Sequence, residues 1–394
     1  MKRQFLAMMF ARGFSSALQA ANLILLARST GLADFGLLSI ITSMAILVST
    51  LFDFGMNTLI VKASALGRVQ QVVAGLRFNA LSARVLAISS TAIFVVGALL
   101  GFLPAWASIL VLGLSIEKKI ETSLSVYVAD GNRVVPNASI LLRRVVPLVA
   151  TAAAVVLGVD PLVPFSVAYV LVCAMNSLHL DWRLAQRFGV RKRKQDRFRE
   201  VAGSAWPYFV GNLSAHSRFL DTSLVAVFVS VGGAALYSAA TKVVNPLQLI
   251  PQALTTVLMP HSARLEAPSA ARLIDRLCLL FLSLLIVLLP ISLFSVQIIV
   301  FIFGPSFEPS APVLAIALCG LPFVTLSSPL GSVLQSQGFE RYVALNGVIF
   351  SVVLLLMLVI CCSFWGIIGA AAGMAVTFCL KCVSLYAYSR RLRT

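Results

Sequence analysis

The chain is a succession of long apolar segments separated by short polar connections. Each segment has the length of about 20 residues or more that a helix needs to cross the hydrocarbon core of a bilayer. Strands of a membrane barrel would instead give short segments of alternating polarity. The pattern predicts an all-α polytopic membrane protein with about 12 transmembrane helices. The predicted segments are roughly 5–27, 35–61, 79–103, 106–129, 136–157, 161–180, 203–230, 234–259, 277–303, 310–334, 342–363 and 366–389.

Composition supports this prediction, because 59% of the residues are hydrophobic, 11% are charged and the mean hydropathy is +0.97. The N-terminal sequence MKRQFLAMMFARGF begins like a signal peptide, but Arg12 interrupts its apolar region and further membrane segments follow. We therefore interpret it as a retained first transmembrane helix.

Positive charge is distributed unevenly between the two sides of the predicted membrane. Of the 31 lysines and arginines, 21 lie at the termini or in the even-numbered loops, and only Arg28 lies near an outer loop. Cytoplasmic loops of membrane proteins carry such an excess, so both termini are predicted to be cytoplasmic.

A basic sequence, RFGVRKRKQDRFR, lies at the midpoint of the chain. It predicts an N-terminal six-helix lobe at 1–182, a cytoplasmic linker at 183–200 and a C-terminal six-helix lobe at 201–394, with the two lobes parallel in the membrane. We interpret the linker as a topology anchor that also contacts anionic membrane lipids. A specific partner site is the alternative.

The net charge of +17 would suggest nucleic-acid binding in a soluble protein, but no soluble domain is evident, so no nucleic acid is expected. All seven cysteines lie in apolar segments, where cysteine packs as a small hydrophobic residue. The CxxC of Cys379 and Cys382 has no second pair or nearby histidine. We expect neither a metal site nor a cofactor.

Nine cations and four carboxylates fall within the predicted membrane segments. A charge at a helix centre costs about 2.5–3.5 kcal/mol on insertion scales, so this number predicts a water-filled cationic cavity. Snorkelling to the interface is the alternative for four cations near the helix ends, Arg12, Arg84, Arg143 and Arg144. The predicted substrate-binding cations are Arg12, Lys118, Lys119, Arg143, Arg144, Arg218, Lys242 and Lys381, and the predicted coupling or charge-pairing residues are Asp53, Glu117, Glu121 and Asp221.

Four of these charges lie together in IEKKIE, within the fourth segment. On a helix Glu117 and Glu121 share one stripe at i, i+4, where they repel unless a cation from another helix lies between them. We interpret the tetrad as the wall of the cavity, with its carboxylates orienting Lys118 and Lys119. No nucleophile or metal triad accompanies these residues, so a catalytic role is not favoured and the chain is not expected to be an enzyme.

A second charged pair, Arg218 and Asp221, lies at i, i+3 in the seventh segment. At this spacing the two side chains can meet on a helix. The pair either locks its helix in place or couples proton uptake to transport, and the sequence leaves both interpretations open.

Several motifs resemble those of bacterial polysaccharide flippases, the O-antigen and exopolysaccharide transporters of the superfamily that also contains multidrug antiporters and the lipid II flippase. The resemblance extends over the whole chain, and it depends on the order of the motifs more than on any one of them. They are ARSTGLADFGLLS, FDFGMNTLIVKAS, FLDTSLVAVFVSVGGAALYSAATKV, FGPSFEPSAPVL, LQSQG and WGIIGAAAG.

The resemblance implies two six-helix lobes around a central cavity that opens alternately to either side of the bacterial inner membrane. It implies transport of an undecaprenyl-diphosphate-linked oligosaccharide to the outer leaflet, with a polysaccharide polymerase and export machinery as further partners. Asp53, Asp221 and Lys242 match polar positions typical of the family, whereas Ala235 stands where the motif usually has glycine. A multidrug or cation antiporter is the alternative, disfavoured by the excess of cations, and a membrane-embedded polymerase is a second alternative, disfavoured by the short outer loops.

Overall fold

A computed structural model describes residues 2–132, 134–188, 198–248 and 265–392, and also Thr255, Leu258, Ser262 and Ala263. Side chains are described from Gly13 onward, except those of residues 198–200. The first eight α-helices are α1 Lys2–Ser29, α2 Leu32–Asp53, α3 Met56–Ala65, α4 Val69–Leu99, α5 Ala105–Ala129, α6 Val134–Val156, α7 Leu162–Phe188 and α8 Phe198–His216. The remainder are α9 Asp221–Phe228, α10 Val231–Val244, α11 Ala267–Leu293, α12 Ser295–Phe303, α13 Ala311–Ser336 and α14 Glu340–Ser389.

All regular structure in the described part of the chain is helical, with short 3-10 turns at Ser217–Leu220, Asn245–Gln248, Pro305–Ser310 and Arg390–Leu392. Seven of the helical stretches are long and apolar enough to cross a membrane. The prediction of an all-α, multi-pass membrane protein is confirmed. Part of the predicted segment 234–259 and residues 189–197 of the predicted linker lie outside the described residues.

The last long helix, α14, contains two of the predicted segments. Gly366 has φ 59° and ψ −140°, which breaks the helix and reverses the chain, and glycine adopts such a φ without strain. The two arms then pack side by side, because a Cβ on Gly369 would lie 2.0 Å from the carbonyl oxygen of Cys361. Farther along the arms, the rings of Tyr342 and Tyr388 stack with centroids 3.5 Å apart. The small residues of WGIIGAAAG thus form the tip of a helical hairpin, where small residues permit close contact.

The chain forms two compact units. Unit 1 comprises Met1–Gly31 and Ile41–His216, and unit 2 comprises Leu32–Ile40 and Ser217–Thr394. The first residues of α2 therefore pack with unit 2, and the rest of α2 packs with unit 1. The predicted lobe boundaries at residues 182 and 201 remain a prediction.

In unit 1, α8 packs against the break between α2 and α3. Phe54 and Gly55 form this break with φ 51° and 77°. The ring of Phe54 stacks on Phe209 with centroids 4.7 Å apart. A Cβ on Gly55 would lie 2.7 Å from both the carbonyl oxygen of Ala205 and the backbone nitrogen of Phe209. Glycine is required here for both its backbone conformation and the close approach of α8.

Candidate functional site

A buried arginine of α6 lies between the two glutamates of α5. Arg143 Nη1 is 2.7 Å from Glu117 Oε1, and Arg143 Nη2 donates a hydrogen bond to Glu121 Oε1. Arg144 lies 3.7 Å from the same Glu117 oxygen, and the hydroxyl of Tyr169 donates to the other one. The side chain of Arg143 is 1% exposed. This is the intervening cation that the i, i+4 spacing of the glutamates requires.

The two lysines of the tetrad also have partners within unit 1. Lys118 is 5% exposed, and its ammonium donates to Asn79 Oδ1 at 2.8 Å and to Ser82 Oγ at 2.7 Å. Lys119 forms an ion pair with Asp181 of α7. The sequence predicts that the glutamates of the tetrad orient its two lysines. In the structure both glutamates instead bind Arg143. The charges of α5 thus form a polar network among α4, α5, α6 and α7.

Asp53 lies at the end of α2, just before the break that Phe54 and Gly55 form. Its Oδ2 accepts a hydrogen bond from the backbone nitrogen of Asn57 at 3.1 Å, and its Oδ1 accepts from Thr122 Oγ1 at 2.6 Å. The carboxylate therefore satisfies a free N–H in the first turn of α3, where the helix dipole favours negative charge. The aspartate of FDFGMN connects the helix break to α5, and it also lies near enough to Lys118 to stabilise the ammonium.

In unit 2, Arg218 and Asp221 have separate partners. Arg218 Nη1 donates to Gln248 Oε1 at 3.0 Å. Asp221 accepts from the backbone nitrogen and the hydroxyl of Thr222, at 2.6 and 3.1 Å, and from the hydroxyl of Tyr237 at 3.1 Å. No ion pair joins the two residues, both of which are described. The expected direct contact is not present, because the guanidinium is directed to Gln248 and the carboxylate to Thr222 and Tyr237.

The other two interior cations of unit 2 also have neutral partners. Lys242 Nζ donates to Ser39 Oγ at 3.0 Å and lies 4.8 Å from the ring centroid of Phe35. Lys381 Nζ lies 5.8 Å from the ring centroid of Phe378. Hydroxyl and ring contacts of this kind stabilise an ammonium without neutralising its charge. Among the described residues, no carboxylate forms an ion pair with either lysine.

The interior cations of the two units thus differ in their surroundings. In unit 1, Arg143, Arg144 and Lys119 contact carboxylates, and Lys118 alone has amide and hydroxyl partners, with Asp53 nearby. In unit 2, the three cations Arg218, Lys242 and Lys381 have amide, hydroxyl or aromatic partners. Arg218 and Lys381 also lie close enough to repel each other. A buried cation without a carboxylate is costly, and such a residue in a membrane segment indicates a functional site.

The remaining predicted cations are less informative. Arg84 is exposed on α4, and the side chain of Arg12 lies outside the described residues. Within the described part of the chain, no cluster of three or more His, Cys, Asp or Glu residues could hold a metal ion. Each of the seven cysteines is a free thiol, buried or half-buried.

The fold is similar to those of several solved membrane transporters. An inward-facing multidrug resistance MATE family transporter of the MOP superfamily matches with a TM-score of 0.74 and 15% identity, over 96% of this chain and 94% of that one. The lipid II flippase MurJ in an inward closed conformation matches with a TM-score of 0.74 and 15% identity, over 98% of this chain and 87% of that one. A MOP superfamily transporter from Pyrococcus furiosus matches with a TM-score of 0.68 and 15% identity, over 99% and 95% of the two chains.

At 15% identity these similarities concern the fold, which is that of membrane transporters. A comparison with curated protein sequences gives no significant match. The sequence profile described as "Polysaccharide biosynthesis protein" matches residues 1–266, which is more than half of the chain. The chain therefore belongs to the polysaccharide biosynthesis protein family.

Proposed function

We propose that this protein is a flippase that moves a lipid-diphosphate-linked oligosaccharide from the cytoplasmic to the outer leaflet of the inner membrane, for the synthesis of a surface polysaccharide such as O-antigen or exopolysaccharide. Membership of the polysaccharide biosynthesis family and the transporter fold support this proposal. The undecaprenyl-diphosphate carrier that the sequence motifs imply would supply the anionic group.

The observation that carries the proposal is the group of cations in unit 2 without carboxylate partners. Arg218 and Lys381 repel each other, so an anion that contacts both relieves an unfavourable interaction. A guanidinium binds two phosphate oxygens at once, whereas a lysine acts as a compact point charge. A diphosphate presents several oxygens and has more than one negative charge, which matches such a combination.

In this proposal the polar network around α5 has a structural role. Glu117 and Glu121 neutralise Arg143 inside unit 1, and Asp53 accepts a hydrogen bond from the first turn of α3. Asp221 is the carboxylate that acts on Arg218 from a distance. When the diphosphate binds Arg218, the Asp221 carboxylate is no longer stabilised by the positive charge of that arginine. Proton uptake by the carboxylate can then accompany the conformational change.

The alternative of a multidrug or cation antiporter requires carboxylates available to a cationic substrate. Among the predicted interior charges of unit 2, Asp221 is the one carboxylate, and it already accepts three hydrogen bonds. The three interior cations of the same unit disfavour a positively charged substrate.

The test is an export assay in a strain from which the gene has been deleted. Mass spectrometry of its inner-membrane lipids should identify the glycan that accumulates on its carrier. Complementation with the Arg218→Gln, Lys381→Gln double variant should leave that intermediate in place, because glutamine retains hydrogen bonding but removes both charges. Arg84→Gln is the matched control, since it removes an exposed cation of a membrane helix and should restore export.

Expression and monodispersity in detergent establish that each variant folds. Normal surface glycan from a well-expressed double variant would contradict the proposed role of the cations. Absence of any accumulated lipid-linked glycan in the deletion strain would contradict the proposed substrate.

A further inference from the structure

Gln248 lies in the 3-10 turn that follows α10, and its side-chain amide connects two parts of unit 2. Its Oε1 accepts a hydrogen bond from Arg218 Nη1 at 3.0 Å, and its Nε2 donates to Asn245 Oδ1 at 3.3 Å. Asn245 lies three residues before Gln248, and side chains at this spacing lie above one another in a 3-10 turn. The bond to Asn245 thus orients the amide so that its oxygen is directed to the guanidinium.

The amide of Gln248 holds Arg218 without neutralising it. A guanidinium has five N–H donors, and the bond to Gln248 engages Nη1 alone. The Cζ of Arg218 also lies 5.0 Å over the ring centroid of Phe219, a contact that leaves the charge in place. In the described part of the chain, no carboxylate forms an ion pair with this guanidinium. Its positive charge and most of its N–H groups are therefore available to an anion.

Asp221, the carboxylate that acts on Arg218 from a distance, has hydrogen-bond donors of its own. Its Oδ1 accepts from the backbone nitrogen and the hydroxyl of Thr222, and its Oδ2 accepts from the hydroxyl of Tyr237. Both carboxylate oxygens are thus paired with groups other than the guanidinium. An anion that binds Arg218 does not have to break an ion pair first.

Arg143 in unit 1 is held in the opposite way. Glu117 and Glu121 both contact its guanidinium, which is thereby neutralised and engaged at both terminal nitrogens. A phosphate would have to displace a carboxylate to bind this arginine, and arginine–carboxylate contacts are among the strong hydrogen bonds of proteins. At Arg218 a phosphate would displace only an uncharged amide oxygen. The kind of partner, carboxylate or amide, therefore determines whether a buried arginine can bind an anion.

We propose that Gln248 is a positioning residue, which holds the guanidinium of Arg218 in place for the diphosphate and leaves its charge intact. This inference rests on the proposed function, and it adds a residue that acts through Arg218. The competing interpretation is that the same hydrogen bond only joins the turns Asn245–Gln248 and Ser217–Leu220 and contributes to stability. The two interpretations predict opposite effects of the same two substitutions.

The first substitution, Gln248→Glu, keeps the length of the side chain and an oxygen for Arg218, and it adds a negative charge. If the bond is only structural, an ion pair strengthens it and the variant should function normally. If Gln248 positions Arg218, the new carboxylate neutralises the guanidinium and competes with the diphosphate. The second substitution, Gln248→Leu, removes the hydrogen bond but leaves the charge of Arg218. The positioning role thus makes Gln248→Glu the more harmful change, and the structural role makes Gln248→Leu the more harmful change.

The first experiment measures binding of undecaprenyl diphosphate to the full-length protein in detergent by native mass spectrometry. Gln248→Glu should weaken binding about tenfold or more, which is the effect of losing one hydrogen bond to a charged group. Gln248→Leu should bind more weakly than the wild type but more tightly than Arg218→Gln, which lacks the guanidinium. Gln335→Glu is the matched control, because it adds the same carboxylate at an exposed position of α13 and should bind as the wild type does. Undecaprenol, which has no phosphate, should bind every variant equally.

The second experiment compares export with stability. In the deletion strain, surface glycan should decrease in the order wild type, Gln248→Leu and Gln248→Glu, with Gln335→Glu at the wild-type level. The melting temperature of purified Gln248→Glu should equal or exceed that of the wild type, since this variant gains an ion pair with Arg218. A loss of export by a protein that is at least as stable as the wild type does not come from unfolding.

The results separate this inference from the proposed function. Wild-type binding by Gln248→Glu, or weaker binding by Gln248→Leu than by Gln248→Glu, would overturn the positioning role. If Gln248→Glu yields no folded protein, Gln248→Leu still decides, because an affinity equal to that of the wild type or of Arg218→Gln would contradict the proposal. If both Gln248 variants bind and export normally while Arg218→Gln, Lys381→Gln is defective, the positioning role is wrong and the flippase proposal stands. If the deletion strain accumulates no lipid-linked glycan, the proposed function itself fails.

Discussion

Removal of the buried guanidinium of Arg143 should be among the most destabilising single changes in unit 1. Arg143→Met leaves an apolar side chain of similar length between Glu117 and Glu121, and it leaves those carboxylates facing each other without the cation. The Arg143 side chain is 1% exposed, the Glu117 side chain 18% and the Glu121 side chain 48%. Breaking a buried ion pair from one side costs about 3–5 kcal/mol.

The share of this lost stability that each carboxylate accounts for depends on how exposed that carboxylate is. Glu121 is almost half exposed, and water screens its pair with Arg143, so its share is at most about 1 kcal/mol. Most of the loss then comes from Glu117, which stays in the interior with Arg144 3.7 Å away and the Tyr169 hydroxyl as its remaining partners. We expect Arg143→Met to lower the free energy of unfolding by about 3 kcal/mol, near the low end of the range.

A set of matched variants tests this division. Glu121→Gln should cost less than about 1 kcal/mol, because its pair with Arg143 is screened. Glu117→Gln should lower the free energy of unfolding more than Glu121→Gln does, because it removes the less exposed of the two carboxylates that contact the guanidinium. The triple variant Arg143→Met, Glu117→Gln, Glu121→Gln should be more stable than Arg143→Met alone, since no carboxylate is left without its cation, and Arg144, which loses Glu117, is partly exposed.

The measurement is unfolding of the purified proteins in detergent, followed by tryptophan fluorescence as denaturant increases. The order of stability should be wild type, Glu121→Gln, Glu117→Gln and then Arg143→Met. Wild-type stability in Arg143→Met, or a triple variant less stable than Arg143→Met, would refute the reasoning. Either outcome would show that the guanidinium does not neutralise the two glutamates.

Three further predictions follow from the topology and the helix contacts. Reporter fusions after Arg199 and after Thr394 should both report the cytoplasm, and a periplasmic signal at either point would contradict the twelve-helix topology. Gly369→Ala should lower the melting temperature of the purified protein, because its Cβ would lie 2.0 Å from a carbonyl oxygen, whereas Gly347→Ala on the same helix meets no atom within 4 Å and should not. Gly55→Ala should reduce the yield of folded protein in size-exclusion chromatography, since the backbone φ of 77° and the contact with α8 both exclude a side chain.

Hydropathy and turn residues predict the helical spans well, because crossing hydrocarbon is a local requirement on each segment. The reversal of α14 at Gly366 is an example, since the segments predicted to end at 363 and begin at 366 meet there. The charged partners are not predictable in the same way. The sequence indicates that a cation must lie between Glu117 and Glu121, but only packing of α6 on α5 shows that it is Arg143.

Spacing along the chain also fails to identify partners that come from other parts of the fold. Arg218 and Asp221 are three residues apart, but the first contacts Gln248 and the second contacts Tyr237. The role of Asp53 is hidden for a similar reason, because its bond to Asn57 depends on the break after α2.

Because α8 packs in unit 1, the basic segment at the midpoint of the chain connects two helices of one unit. Residues 189–197 join α7 to α8, two helices of the same unit, and the chain passes into the larger part of unit 2 after His216, through the four-residue turn Ser217–Leu220. A protease cut within 189–197 therefore separates the chain covalently but leaves α8 held by Phe54 and the close approach at Gly55. The two fragments should remain a single particle in detergent, and the protein should tolerate synthesis as two separate polypeptides that are divided in this segment.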